Sequence, residues 1–87
     1  MKDDLAAMRN LGPITAIRLR AVGVRTPEDL RRLGAIDAYV RLKRAFPPVV
    51  NHVTLYSLYG AVAGTRWPSI PDETRTALRD AAARRLP

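Results

Sequence analysis

The sequence contains no cysteine and only one histidine. Without cysteine the chain can form no disulfide and no thiolate-ligated zinc site, and one histidine cannot make a metal site by itself. No apolar run approaches the ~20 residues that a membrane-spanning helix needs, and the first residues do not resemble a signal peptide. We therefore expect no metal, no cofactor, no membrane partner and a cytoplasmic location.

Acidic residues are also few, with eight Asp and Glu against 15 Lys and Arg. Most of them stand where a helix is predicted to start, and there a carboxylate caps the helix or interacts favourably with its dipole. The sequence shows no nucleotide-binding loop and no serine–histidine–aspartate pattern. Since capping accounts for these acids without a catalytic role, we predict that the chain is not an enzyme.

The net charge of +7 allows two interpretations. A strongly basic balance is typical of proteins that bind nucleic acid phosphates. Thirteen of the 15 basic residues are arginine, however, and an arginine-rich helical surface can also be merely solvated. Charge alone does not choose between a DNA-binding surface and a solvated one.

The pattern of apolar residues, glycines and prolines predicts an all-α fold, a single domain of five to six short helices over residues 1–87. The predicted helices run from Asp3 or Asp4 to near Arg9, from Pro13 to about Val22 before Gly23, from Pro27 after the cap Thr26 to Gly34, over about Ala35–Ala45, over about Val49–Ala63, and from about Pro71 to Arg84.

The fifth segment carries the most apolar residues. Its β-branched residues could form a strand, but its length and leucine spacing favour a buried helix. Gly60 would let a neighbouring helix approach closely, and His52 is predicted to cap the helix or to lie on the surface. Trp67 could stack on a nucleic-acid base, but we expect it to close the core over this helix, with Ile70 as a hydrophobic staple for the last helix.

The first two helices are joined by the tight turn Leu11-Gly12-Pro13, the outline of a helix-hairpin-helix. In one interpretation the turn holds a DNA phosphate on backbone amides, through the residues Arg9, Gly12, Ile14, Thr15 and Arg18. In the other, the turn is a compact corner between two helices that needs a glycine for steric reasons.

Two further surfaces are candidates for binding. Ile14, Ile17 and Ala21 form a second apolar stripe on the second helix, which either packs under a neighbouring loop or serves as a homodimer or partner interface. Arg41, Lys43 and Arg44 form the basic group with the fewest neighbouring acids, and we predict that they contact phosphates if DNA is bound.

An ordered set of short motifs covers about residues 8–80. It comprises Leu11-Gly12-Pro13, Gly23-Val24, Thr26-x-Glu28-Asp29-Leu30-Arg31-x-Leu33-Gly34-Ala35, Ala38-Tyr39-x-x-Leu42, Leu55-Tyr56-x-Leu58-x-Gly60-Ala61-x-x-Gly64-x-x-Trp67 and Ile70-Pro71. In this order the motifs resemble the C-terminal domain of the TfoX/Sxy family.

The resemblance implies a helical domain that begins with a helix-hairpin-helix-like unit. Complete members of the family regulate competence genes, are associated with DNA uptake, and act as coactivators beside a cyclic-AMP receptor protein. On this basis we expect an interaction module that assists transcription through weak, non-specific contacts with DNA, with a regulatory protein, or with both. The alternative is a purely protein-binding or self-associating domain without a nucleic-acid role.

Overall fold

The structure, a computed structural model, describes residues 4–86. These residues form six α-helices and no strand, which confirms the predicted all-α fold. In chain order the helices are α1 (Asp4–Ala7), α2 (Pro13–Ala21), α3 (Pro27–Leu33), α4 (Ala35–Ala45), α5 (His52–Ala63) and α6 (Asp72–Arg85), with a 3₁₀ turn at Trp67–Ser69. None of these helices is long and apolar enough to cross a bilayer.

The core lies between α4, α5 and α6, which pack on one another, while α2 and α3 pack on α4. Leucines from all of the longer elements meet there because each amphipathic helix turns its apolar side inward. Among the side chains whose burial the structure describes, no charged one is buried, and the buried Tyr39 and Tyr56 each carry a hydroxyl group. The fully buried leucines are Leu5, Leu19, Leu30, Leu42, Leu55 and Leu58.

The start of α3 follows the predicted capping pattern. Thr26 Oγ1 accepts a hydrogen bond of 3.0 Å from the backbone N–H of Asp29, and Asp29 Oδ2 accepts one of 3.1 Å from the backbone N–H of Arg25. That N–H of Arg25 is the main cause that holds the pKa of the Asp29 carboxyl below its usual value. Gly34 ends the helix at φ +91°, where a side chain would be strained.

Helix α5 begins later than the sequence predicted. Pro47 and Pro48 keep the chain non-helical, and Val50 is buried in the loop that follows. Asn51 is the cap, because its Oδ1 accepts a hydrogen bond of 3.0 Å from the backbone N–H of Val53. The start predicted at Val49 was therefore wrong by three residues, and His52 is an exposed first residue rather than the cap.

The α1–α2 turn is held by Asn10. Helix α1 ends at Ala7, two residues before the predicted Arg9, and Asn10 adopts φ +72°. Its Nδ2 donates to the carbonyls of Thr65 (2.9 Å) and Ser57 (3.4 Å), and its Oδ1 accepts from the N–H of Trp67 (3.2 Å). Capping by Asp3, or by the side chain of Asp4, lies outside the described residues.

Gly60 is the residue of α5 that makes room for Asn10. A Cβ atom at this position would overlap with both Asn10 Nδ2 and the carbonyl oxygen of Thr65. The close approach predicted at Gly60 therefore exists, but an asparagine side chain occupies the space rather than a helix. One side chain thus ties the first turn of the fold to the α5–α6 connection.

Candidate nucleic-acid interface

A groove between α4 and α6 is lined by a group of arginine side chains. The groove is open to solvent and has a volume of about 540 Å³, and the only carboxylate among its described lining residues is Asp37. Four guanidinium groups and one carboxylate leave a surplus of three positive charges. The four groups, named here the arginine groove, belong to Arg41, Arg44, Arg84 and Arg85.

Helical spacing brings these side chains together. Arg41 and Arg44 are three residues apart on α4, so they share a face with Asp37, while Leu42 and Ala38 point into the core. The packing of α6 on α4 then places the last turn of α6 beside this face. Lys and Arg also suit the last turn of a helix, where they balance its dipole.

An ion pair and two hydrogen bonds hold the arginine side chains of the groove in place. Asp37 forms an ion pair with Arg85, and Arg44 Nη2 donates a hydrogen bond of 2.9 Å to the carbonyl oxygen of Arg85. Arg41 Nη1 donates to the carbonyl oxygen of Val22 at 3.0 Å. Each of these guanidinium groups keeps further N–H donors, since the group has five. Arg84 is exposed and has no hydrogen bond or ion pair with another described residue.

Lys43 does not belong to this surface. Its Nζ donates to the carbonyl oxygens of Val50 (2.7 Å) and Pro47 (3.3 Å), so it braces the α4–α5 connection on the opposite side of α4. The predicted group of Arg41, Lys43 and Arg44 is therefore split, because residues two apart on a helix do not face the same way. The sequence prediction missed Arg84 and Arg85 as partners of α4, since only the packing of α6 brings them there.

The hairpin glycine has no steric reason to be glycine. Gly12 precedes α2 in an extended conformation, and a Cβ atom there would meet no atom within 4 Å. The interpretation of the turn as a corner that requires glycine was therefore wrong. The amides of Gly12, Ile14 and Thr15 lie at the start of α2, where backbone N–H groups have no partner within the helix.

The two arginines predicted beside the hairpin differ in their surroundings. Arg9 is exposed in the turn after α1. The guanidinium of Arg18 lies 5.9 Å from the centre of the Phe46 ring, a cation–π contact at the C-terminal end of α4. The Arg18 side chain is therefore directed toward the end of α4. Binding of a DNA phosphate at the hairpin stays a prediction.

The second apolar stripe of α2 faces outward. Ile14 and Ile17 are 61% and 60% exposed, and Ala21 is exposed as well. The interpretation in which this stripe packs under a neighbouring loop was wrong. The described chain leaves the stripe open to a partner.

Trp67 packs against α5 as predicted. Its ring stacks on Tyr56 with 6.0 Å between centres and 24° between planes. The guanidinium of Arg75 lies over both rings, 5.4 Å from Tyr56 and 5.5 Å from Trp67, while Arg79 Nη1 donates a 2.6 Å hydrogen bond to the Tyr56 hydroxyl. Tyr56 thus contacts both Arg75 and Arg79, which are four residues apart on α6.

These elements form a small all-helical domain that begins with two helices joined by a tight turn and carries a basic groove. The chain belongs to the TfoX C-terminal domain family, whose model matches residues 1–82. This finding confirms the family resemblance of the ordered motifs. Among residues 4–86, no group of three or more histidine, aspartate and glutamate side chains could hold a metal ion.

Two solved structures of proteins from Listeria monocytogenes share the fold. One is a crystal structure in a tetragonal form of a protein of unknown function, with a TM-score of 0.83 and 28% identity over 92% of this chain and 98% of that one. The other, an uncharacterized protein in a triclinic form, has a TM-score of 0.80 and 29% identity over 86% of this chain and 84% of that one. No curated protein matches the chain.

Proposed function

We propose that this chain is a non-enzymatic accessory module that binds the phosphate backbone of DNA without reading its sequence. The observation that carries the proposal is the arginine groove, where four guanidinium groups from two helices face one carboxylate. Guanidinium groups bind phosphate oxygens in a bidentate manner and are always charged. Contacts of this kind position a protein on DNA but carry no base specificity.

Membership of the TfoX C-terminal domain family supports a place for this binding in gene regulation. The resemblance to TfoX/Sxy proteins implies the regulation of competence genes beside a transcription regulator. We infer that the module assists such a regulator by adding weak, non-specific affinity for the neighbouring DNA. For a protein with that role we expect a cytoplasmic location, and the role needs no catalytic group.

Fluorescence anisotropy with a labelled duplex tests the proposal. The double variant Arg44→Gln with Arg84→Gln removes two charges from the groove, and Arg31→Gln with Arg32→Gln removes two from the exposed face of α3. At about 0.1 M salt we expect the groove variant to bind at least tenfold more weakly, because each lost phosphate contact also loses its counterion release. The α3 variant should bind nearly as the wild type does. Equal losses in the two variants would contradict a site in the groove.

A second candidate function is protein binding through the outer face of α2. The observation that favours it is the exposure of Ile14 and Ile17, two large apolar side chains one turn apart. Light scattering after size exclusion tests the self-associating form of this function. A wild-type mass above the monomer's 9.7 kDa that falls to this value in the Ile14→Ser, Ile17→Ser variant would support it. A wild-type monomer at high concentration would exclude it.

A further inference from the structure

A second, smaller pocket lies on the other side of α4 and α6 from the arginine groove. The pocket is open to solvent and has a volume of about 270 Å³ between α4, the start of α5 and the last turns of α6. Five polar side chains line it, and no carboxylate does so among the described residues. They belong to Tyr39, Lys43, Asn51, His52 and Arg79, and the apolar part of the wall is formed by Ala82, Ala83 and Leu86.

The polar side chains of this pocket keep unused donors. Lys43 Nζ has three N–H groups and spends two of them on the carbonyls of the α4–α5 connection. Asn51 caps α5 with its Oδ1, while its Nδ2 has no partner among the described residues. Arg79 donates through Nη1 to Tyr56 and through Nη2 to Thr76, which leaves other N–H groups of its guanidinium available.

Tyr39 supplies the observation that points to a ligand. The residue is only 3% exposed, and its hydroxyl makes no hydrogen bond to any described residue. The hydroxyl is not among the fully enclosed unpaired atoms, so it keeps access to solvent, and Tyr39 is one of the residues that line the pocket. Burial raises the pKa of Tyr39, so the hydroxyl keeps its proton and can donate. The hydroxyl therefore has no partner among the described residues and can donate to an acceptor that enters the pocket.

The start of α5 adds a further positive field at the same place. Asn51 is the cap and His52 the first residue of this 12-residue helix, and both line the pocket. The N-terminal end of a helix carries a partial positive charge and unpaired N–H groups, which favour an anion. The unpaired Tyr39 hydroxyl and the helix end therefore indicate the same class of ligand.

We propose that this pocket binds the phosphate group of a small organic phosphate. Three terminal oxygens of a phosphate monoester can accept from the Lys43, Arg79 and Tyr39 donors together, whereas a carboxylate offers only two oxygens. The space exceeds that of a phosphate ion, and Ala82, Ala83 and Leu86 give an apolar wall for a short organic substituent. The pocket is independent of the DNA proposal, since the two sites share no lining residue.

Nuclear magnetic resonance of the ¹⁵N-labelled chain, titrated with phenyl phosphate at constant ionic strength, tests this site. We expect saturable shifts of the His52 and Val53 amides, with a dissociation constant in the millimolar range or below. Benzoate, with the same ring but a carboxylate, should bind several-fold more weakly. Absence of saturation with phenyl phosphate, or equal binding of benzoate, would overturn the proposal.

Variants separate this pocket from general basic attraction. Tyr39→Phe removes only the hydroxyl and should weaken phenyl phosphate binding roughly five- to tenfold, which corresponds to one lost hydrogen bond. Arg31→Gln, on the exposed face of α3, removes a positive charge outside both sites and should leave this binding unchanged. Unchanged affinity in Tyr39→Phe, or an equal loss in Arg31→Gln, would contradict the site. The unfolding midpoint of Tyr39→Phe shows whether its fold is intact.

Discussion

Asn10 makes the contact whose removal best tests how this fold is held together. Its side chain links the α1–α2 turn to carbonyl and N–H groups more than 45 residues away in the chain. The variants Asn10→Gly and Asn10→Ala separate its two roles. Glycine keeps the backbone conformation at φ +72° and removes the hydrogen bonds, whereas alanine removes the bonds and also strains the backbone.

The size of the effect follows from these bonds. The contacts with Thr65 and Trp67, at 2.9 and 3.2 Å, are two good hydrogen bonds, and the 3.4 Å contact with Ser57 is weaker. At about 1 kcal/mol each, the bonds predict a loss of about 2 kcal/mol for Asn10→Gly. The left-handed conformation adds about 1 kcal/mol for Asn10→Ala. For a domain of this size, a loss of 2 kcal/mol lowers Tm by roughly 8–16 °C.

Urea unfolding followed by circular dichroism measures these differences. Gly12→Ser is the matched control, because it changes the same turn at a position where a side chain meets no neighbour and serine is a favourable helix cap. We expect the control to be as stable as the wild type or slightly more stable. If Asn10→Gly unfolded at the wild-type midpoint, the hydrogen bonds of Asn10 would not hold the turn, and the reasoning would be refuted.

Two further predictions concern neighbouring features of the fold. Gly60→Ala should lower the free energy of unfolding by more than about 2 kcal/mol, because its Cβ overlaps with Asn10 and with the Thr65 carbonyl. In a double-mutant cycle, Asn10→Gly should relieve only part of this loss. Full additivity of the two substitutions would show that the two sites do not touch. Asp29→Asn should destabilise the protein above the unfolded pKa of 3.8, where the Asp29 carboxylate is charged. Because the folded pKa of Asp29 is lowered, its contribution fades as the pH falls through that lower value. The urea midpoints of wild type and variant should therefore converge in acid, and a constant difference would contradict the cap.

Helix positions were predictable where local chemistry decides them. The span of α4 was predicted correctly, because Gly34 ends one helix before it and Phe46-Pro47-Pro48 stops it. The α3 cap likewise depends on residues four positions apart or fewer. The start of α5 was missed because Asn51 competes for backbone N–H groups in a segment whose valines suggested an earlier start.

The candidate sites were less predictable, because they depend on packing between distant segments. Arg41 and Arg84 share a groove only because α6 lies on α4, and no local pattern encodes that contact. The link between Asn10 and Gly60 is of the same kind. The exposed face of Ile14 and Ile17 was seen as a second stripe, but its exposure depends on which helices pack against α2.

The dependence of duplex binding on salt tests the central claim most directly. If the wild type neutralises three phosphates through the arginine groove, a plot of log affinity against log salt should have a slope of about −2.7. The Arg44→Gln, Arg84→Gln variant should reduce the slope to about −0.9. A wild-type protein that shows no duplex binding at low salt, or a variant with the wild-type slope, would contradict the account.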